Sequence, residues 1–294
     1  MRKNILKAFY DAIPFKPSLF TVLKYFKLPE KVFRHLHFKG IINVPLEKNK
    51  SFKMMHYGFQ IENEIFWSGI TGGWEKDSLK IWIELCKRSS VIFDIGANTG
   101  IYALIAKCIN KTNTVYAFEP VERVFEKLSF NNKINHYDIK CLPLAASNFT
   151  GSAQIYDTDT EHIYSVTVNK DLSHSKIPTH EVTIQTITLD DLIKKENIAK
   201  IDLIKLDVET HEAEVLEGYK QHFAKHKPTI LIEILNDTVA QRIESILEEC
   251  NLKYLYYNIN EKGSIRKVDK LSRSDYFNFL LCDAETSKQI GLEG

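Results

Sequence analysis

The chain has 294 residues, 44% hydrophobic and 26% charged, which suits one elaborated domain with a large core and excludes a disordered or fibrous polymer. Lys plus Arg number 39 against 38 for Asp plus Glu, so no global field recruits nucleic acid or an acidic polymer. No apolar run reaches the roughly 20 residues of a membrane span, and Lys24 and Lys27 interrupt the N-terminal segment that would otherwise imitate a secretion signal. The cysteines Cys86, Cys108, Cys141, Cys250 and Cys282 are odd in number, scattered and never paired as CxxC. That pattern disfavours a disulfide framework and a zinc site, and points to a reducing cytoplasm.

Residues 1 to about 40 mix aromatics with lysines (Leu19, Phe20, Leu23, Tyr25 and Phe26 beside Lys24 and Lys27), and Pro14, Pro17 and Pro29 cut them into short helices. They are read first as a cover over one end of a sheet, with attachment to a membrane surface as the alternative. Ile41 to Leu46 and Phe52 to Tyr57, separated by a polar stretch, predict a hairpin. A helix over 74–87 leads into the first core strand. From Val91 onward, strands are predicted at 91–95, 114–118, 139–144, 201–207, 229–235, 252–259 and 276–282, with helices at 100–109, 121–133, 211–224 and 237–250. This alternation predicts a doubly wound, mostly parallel seven-stranded α/β sheet of Rossmann-like type. The last two strands flank a polar loop, Asn260 to Asp275, so the final one is expected to enter antiparallel in an edge hairpin. Between Gly151 and Asp191 the helical pattern lapses into short β-like pieces, an insertion near the active face. The expected organisation is an N-terminal extension over 1–72, serving as a lid or oligomer contact, and a catalytic domain over 73–294.

The segment VIFDIGANTGIY, from Val91 to Tyr102, followed by TVYAFEP, ending at Pro120, reads as strand, glycine turn, helix, strand and terminal acid. A dinucleotide fingerprint needs glycine at its middle position, where backbone approaches pyrophosphate, and Asn98 stands there. NAD is therefore disfavoured. S-adenosylmethionine carries no phosphate and tolerates a side chain in the turn, while Glu119, about 20 residues on, suits both ribose hydroxyls. The candidate cofactor set is Asp94, Gly96, Ala97, Asn98, Gly100, Tyr102, Glu119, Pro120, Ala146 and Asp207.

In an open α/β sheet the ligand lies at the carboxyl ends of the strands. Those ends carry Asp94 and Gly96, Glu119, the run Ala145, Ala146 and Ser147, then Asp207 and Glu209, and finally Glu233. Carboxylates beside apolar runs are costly unless something binds them. In IDLIKLDVETHEAEVLEGY, from Ile201 to Tyr219, Glu209 and Glu212 can be ordinary helix N-terminal acids, whereas Asp207 and His211 call for chemistry. His211 is the candidate base, with Asp207 and Glu209 as catalytic partners. Asp207, Glu209 and Glu233 are the candidate ligands should a divalent cation be involved. Of His136, His162 and His180, His162 within the insertion is the one placed to reach a substrate.

Taken together, FDIGANTGIYAL, VYAFEP with Asn131 and Asn132 downstream, LAAS, TLDDLI, LIKLDVETHEAEVLEG and KPTILIEI resemble the FkbM-type family of class I S-adenosylmethionine-dependent methyltransferases over residues 72 to 240. The resemblance implies O-methylation of a hydroxyl, commonly on a sugar, a polysaccharide precursor or a polyketide-like product. It also implies that Asp94, Gly96, Asn98, Gly100 and Glu119 contact the cofactor, that Glu75 approaches it from the preceding helix, and that Asp207 faces the transferred methyl. The family more commonly has small residues where this chain has Thr210 and His211. Beside a sugar O-methyltransferase stand the alternatives of a methyltransferase for a non-sugar product and of a cofactor-binding protein without catalysis. Methylation of RNA or protein would need a positive, aromatic-lined groove, for which the sequence gives no sign.

Overall fold

Adjacent apolar residues along each core strand point to opposite faces of the sheet, and each face collects its own core. Ile92, Val115 and Leu203 belong to one buried cluster, whereas their neighbours Phe93, Tyr116 and Ile204 belong to the other. This architecture is seen in a computed structural model that describes Tyr10, residues 15–158 and residues 179–292.

In chain order the described elements begin with helices α1 (Lys16–Leu23) and α2 (Glu30–Phe33), with a 3-10 turn at Lys24–Phe26 between them. The hairpin β1 (Gly40–Glu47) and β2 (Lys50–His56) follows, then α3 (Gln60–Ser68) and α4 (Lys76–Cys86). The core alternation comprises β3 (Val91–Ile95), α5 (Ile101–Ile109), β4 (Thr114–Phe118), α6 (Glu122–Ile134) and β5 (Lys140–Leu142). Next come β6 (Ala145–Ala146), β7 (Gly151–Thr158), β8 (Thr179–Ile187) and α7 (Leu189–Glu196). The chain continues with β9 (Leu203–Leu206), α8 (Glu212–Glu217), α9 (Lys220–His226), β10 (Thr229–Glu233) and α10 (Asp237–Glu249). It closes with β11 (Leu255–Asn260), β12 (Ser264–Val268), β13 (Asn278–Cys282) and α11 (Ala284–Gln289).

The main sheet has the order β12-β11-β13-β10-β9-β3-β4-β5. Strands β5, β4, β3, β9 and β10 pair in parallel, and the expected Rossmann-like, doubly wound α/β fold is what forms. From β3 the chain works outward to β5 on one side and, after β9, outward on the other. The crevice at the carboxyl ends of β3 and β9 is therefore the switch point where ligands bind in such sheets. All seven expected strands are present, and an eighth, β12, extends the edge. One expectation needs correction. The last strand, β13, is antiparallel as expected but lies between β10 and β11, and the edge hairpin is made by β11 with β12. The charged SIRKV of β12 carries no buried-strand pattern, because an edge strand of this kind stays wet. The single helix expected over 211–224 is also two, α8 and α9, broken at Gly218.

The insertion folds as a separate sheet of order β6-β8-β7, whose Ile155 and Ile184 pack with Phe59, Val121 and Val124. Phe20, Phe33 and Phe38 of the N-terminal region share one buried cluster with Trp82 and Ile92. Among the described residues no helix is long and apolar enough to cross a membrane.

Candidate functional site

A cavity of about 200 Å3 opens at the carboxyl ends of β3, β4 and β9, where the topology places it. Its floor is the turn after β3. Gly96 adopts φ 81°, and its amide and that of Ala97 both donate to the Phe118 carbonyl, at 3.1 and 2.9 Å. A Cβ at Gly96 would lie 1.8 Å from the Asp207 carbonyl oxygen, so only glycine lets the ends of β3 and β9 close on each other. Asn98 takes the left-handed conformation, φ 52°, which asparagine tolerates, and its amide donates to Glu119 Oε2 at 3.1 Å. Glu119 Oε1 accepts from the Val121 amide at 3.0 Å. The carboxylate is thus fixed by two backbone donors, each oxygen keeping acceptor capacity toward the cavity. Burial pushes its pKa up to about 7, against those two hydrogen bonds.

Asp94, 1% exposed, accepts the Ala103 amide at 2.9 Å and so secures the first turn of α5 to β3 while also lining the cavity. Burial raises it to about 7. Ala97, Tyr102, Pro120, Ala146 and Asp207 line the cavity as well. Glu75 and Gly100 stand behind that wall: Tyr102 donates its hydroxyl to Glu75 Oε2 at 2.5 Å, and Gly100 is the residue preceding α5. Asn131 and Asn132 do not reach the cavity. Asn131 is fully buried, takes the Met55 amide and donates to the Thr99 carbonyl, joining the hairpin to the glycine turn. Asn132 donates to the Ile139 carbonyl.

The second wall follows β9. Lys205, 1% exposed, places its ammonium 3.0 Å from Asp207 Oδ2 and 5.1 Å from the centre of the Tyr102 ring. Burial alone would depress this lysine, but Asp207, Glu75 and Glu233 around it hold it above its ordinary value, and it stays charged. The sequence pattern offered one hint of this cation, a lysine embedded in the buried-strand run Ile201 to Leu206. Glu209 is raised to about 7 by burial, then by Asp207 and Glu212, and Glu233 to about 9 by burial, then by Asp207. Among the described residues no three His, Cys, Asp or Glu groups gather in a metal-binding arrangement, so Asp207, Glu209 and Glu233 crowd one lysine rather than converge on a cation site.

Glu209 and Thr210 both hold left-handed backbone, φ 55° and 78°. Glu212 Oε1 fastens that turn by accepting the Val208 and Thr210 amides at 3.0 and 3.3 Å, a tie more specific than the helix-end role expected of it. The turn carries His211 to the cavity. Its Nε2 is 3.0 Å from Ser147 Oγ and its Nδ1 is 3.6 Å from Glu214 Oε2, while Arg242 grips Glu214 and Glu217 at 2.5 and 2.8 Å. Burial lowers the His211 pKa, with Glu214 opposing, so the ring is neutral at neutral pH. His162 lies outside the described residues.

The upper walls come from parts of the chain that motif reading leaves aside. Ile61 of α3, Trp74 before α4, Ile155 of β7 and Ile184 of β8 all line the cavity. Their signal in sequence is ordinary apolar periodicity, which marks core and ligand wall alike. The lining carries Asp94, Glu119, Asp207 and Glu209, and Lys205 is its one Lys or Arg among the described residues.

Residues 94–254 match the methyltransferase FkbM domain. The chain is 26% identical over 178 residues to the hexuronic acid methyltransferase AglP of Haloferax volcanii, covering 60% of this chain and 70% of that protein. It is 28% identical over 164 residues to the 31-O-demethyl-FK506 methyltransferase FkbM of Streptomyces tacrolimicus, covering 48% and 63%. Among solved structures, the methyltransferase FkbM from Methylobacillus flagellatus KT aligns with 16% identity and a TM-score of 0.39, over 66% of this chain and 43% of that one.

Proposed function

The chain belongs to the FkbM methyltransferase family, and from that premise we propose that it methylates a hydroxyl oxygen of a sugar, as a nucleotide sugar or polysaccharide precursor, with S-adenosylmethionine as donor. The observation that carries the reading is the charge of the cavity. Four carboxyl groups line it, and its lysine is already paired with Asp207. Such a lining offers a pyrophosphate no unpaired Lys or Arg among the described residues. Its Asp94, Glu119 and Glu209 carboxyls, raised by burial to about 7, are poised to ionise beside a cationic adenosyl ligand. The residues fit that ligand in shape as well, since Gly96 clears the floor and Glu119 presents a fixed carboxylate at the end of β4.

When bound, the cofactor supplies an electrophilic methyl group on a sulfonium. Glu119 would hold the ribose hydroxyls, backbone carbonyls of the Gly96 to Asn98 turn would accept from the ammonium of the amino-acid end, since the three amides are already engaged, and Asp207 with Glu209 would balance the positive charge. Lys205 pairs with Asp207 and holds its carboxylate in place. Neutral His211 accepts the acceptor's hydroxyl proton as the new bond forms, with Glu214 beside Nδ1 stabilising the imidazolium. Trp74, half-buried at the wall and 6.2 Å edge-on from Tyr102, offers a flat face on which a sugar ring can stack. The name of the AglP relative, a hexuronic acid methyltransferase, supports the sugar as acceptor.

The test is calorimetric titration with S-adenosylmethionine and with NAD, followed by methyl-transfer assays on nucleotide sugars. Glu119→Ala should weaken S-adenosylmethionine binding roughly ten- to a hundredfold, the worth of one or two hydrogen bonds to a charged group. His211→Ala should leave that binding near its original value and lower turnover by about 100-fold or more. Binding of NAD in preference to S-adenosylmethionine defeats the reading, and full turnover by the histidine variant removes the base.

A further inference from the structure

Phe15, Leu19, Val22 and Phe26 are spaced by four, three and four residues, which places them on one stripe along α1 and the 3-10 turn that continues it. This stripe faces outward, with Phe15 82%, Val22 58% and Phe26 72% exposed. The opposite side already secures the segment to the body, because Phe20 is buried against Phe38 and Trp67, and Phe33 stacks on Trp67. Folding therefore leaves the outer aromatics unused. Tyr25, 84% exposed, and Val32, 46% exposed, widen the patch beyond what scattered surface apolar residues produce.

Charge identifies what covers it. Residues 15–39 carry Lys16, Lys24, Lys27, Lys31, Arg34 and Lys39 against the single acid Glu30, in a chain whose net charge is +1. Lys24 turns back over the Phe66 ring and Lys16 over Tyr10, whereas Lys27, Lys31, Arg34 and Lys39 are exposed. We propose that this N-terminal face docks the protein on an anionic lipid surface, with the aromatic stripe in the headgroup boundary and the cations against lipid phosphates. A second copy of the chain fits the face poorly, because a symmetric contact would set the cations of one protomer against those of the other. The face also communicates with the cavity: α3 packs Trp67 under Phe20 and Phe33 and presents Ile61 to the cavity wall. The proposal stands independently of the methyl-transfer reading.

The experiment is flotation of the full chain with vesicles of phosphatidylcholine alone and of phosphatidylcholine mixed with phosphatidylglycerol, at low and high salt. The protein should float with the mixed vesicles, weakly or not at all with the neutral ones, and less as salt rises. Reversing Lys27, Lys31 and Arg34 to Glu should lower partitioning by roughly a hundredfold or more, at about fivefold per cation removed. Val22→Ser with Phe26→Ser should abolish flotation while leaving the thermal midpoint unchanged, since both side chains are exposed. Equal flotation with neutral and anionic vesicles, no flotation with either, or a dimer in sedimentation that these serines dissolve would each overturn the proposal. Should a variant unfold, the lipid and salt comparison of the unaltered chain still decides.

Discussion

Thr210 holds φ at 78°, a backbone region that a β-branched side chain occupies only when its surroundings force it. The force is visible in Glu212, whose carboxylate takes the amides of Val208 and Thr210 on either side of Glu209, and in His211, which docks on Ser147. Strain is thus stored at the turn that presents the candidate base. Thr210→Gly should relieve a cost of about 1 to 3 kcal/mol while adding about 0.4 to 1 kcal/mol of unfolded-chain entropy. The net expectation is a gain of about 1 kcal/mol in a urea titration, with activity lowered if the loosened turn lets His211 wander. A less stable glycine variant would mean that the threonine makes a compensating contact. At this scale the motifs were informative where chemistry and backbone coincide, as at Gly96, Asn98 and Glu119. The cation of Lys205 was harder to see, because a lysine in a buried strand becomes intelligible only once its carboxylate neighbours from other strands are in place.

The elements meet at one crowded corner. Gly218 ends α8, and a Cβ added there would lie 2.0 Å from the Ser147 carbonyl oxygen, so the break between α8 and α9 lets this helix pair close on the segment that leaves β6 at Ser147. The constraint is contact rather than dihedral, since φ at Gly218 is −71°. Gly218→Ala should therefore overpack the corner, cost about 1 to 3 kcal/mol in unfolding free energy, and disturb the pairing of Ser147 with His211. An unchanged denaturation midpoint would mean that the segment after β6 yields freely. The same glycine explains why one continuous helix was expected over 211–224: the apolar period runs through it, and only the approach of another segment's carbonyl stops the helix. Strands β3, β4 and β10 were legible as dense apolar runs because both their faces are covered. Strand β12 was not, having one partner and a charged surface, and the place of β13 between β10 and β11 is a matter of long-range pairing that local pattern does not encode.

Across the whole molecule, closing two cores over one sheet buries more carboxyl groups than it pairs. Burial raises Glu62, Asp94, Glu119, Glu209 and Glu212 each to about 7, and Glu233 to about 9. From the ordinary carboxyl range near 4.5 up to these values, the folded chain keeps protons that the unfolded chain has lost, so raising the pH through that window favours unfolding. Histidines act in the opposite sense. Burial lowers His56 to about 4 and also depresses His211, so acidification below the usual value near 6.5 protonates the unfolded chain first and costs stability there. Where the windows overlap, the raised carboxyls outnumber these two histidines, and above it the carboxyls act alone. The thermal midpoint should therefore fall between about pH 5.5 and about pH 8, by about 5 °C or more. Glu62 gives the cleanest check, since it is buried on α3 and is not itself part of the cavity lining. Glu62→Gln should raise the midpoint at the alkaline end by a few degrees and shrink the pH dependence of the rest. A midpoint that climbs with pH, or a glutamine variant with the original slope, would mean that these carboxyls ionise in the fold as readily as in the open chain and are stabilised there by partners.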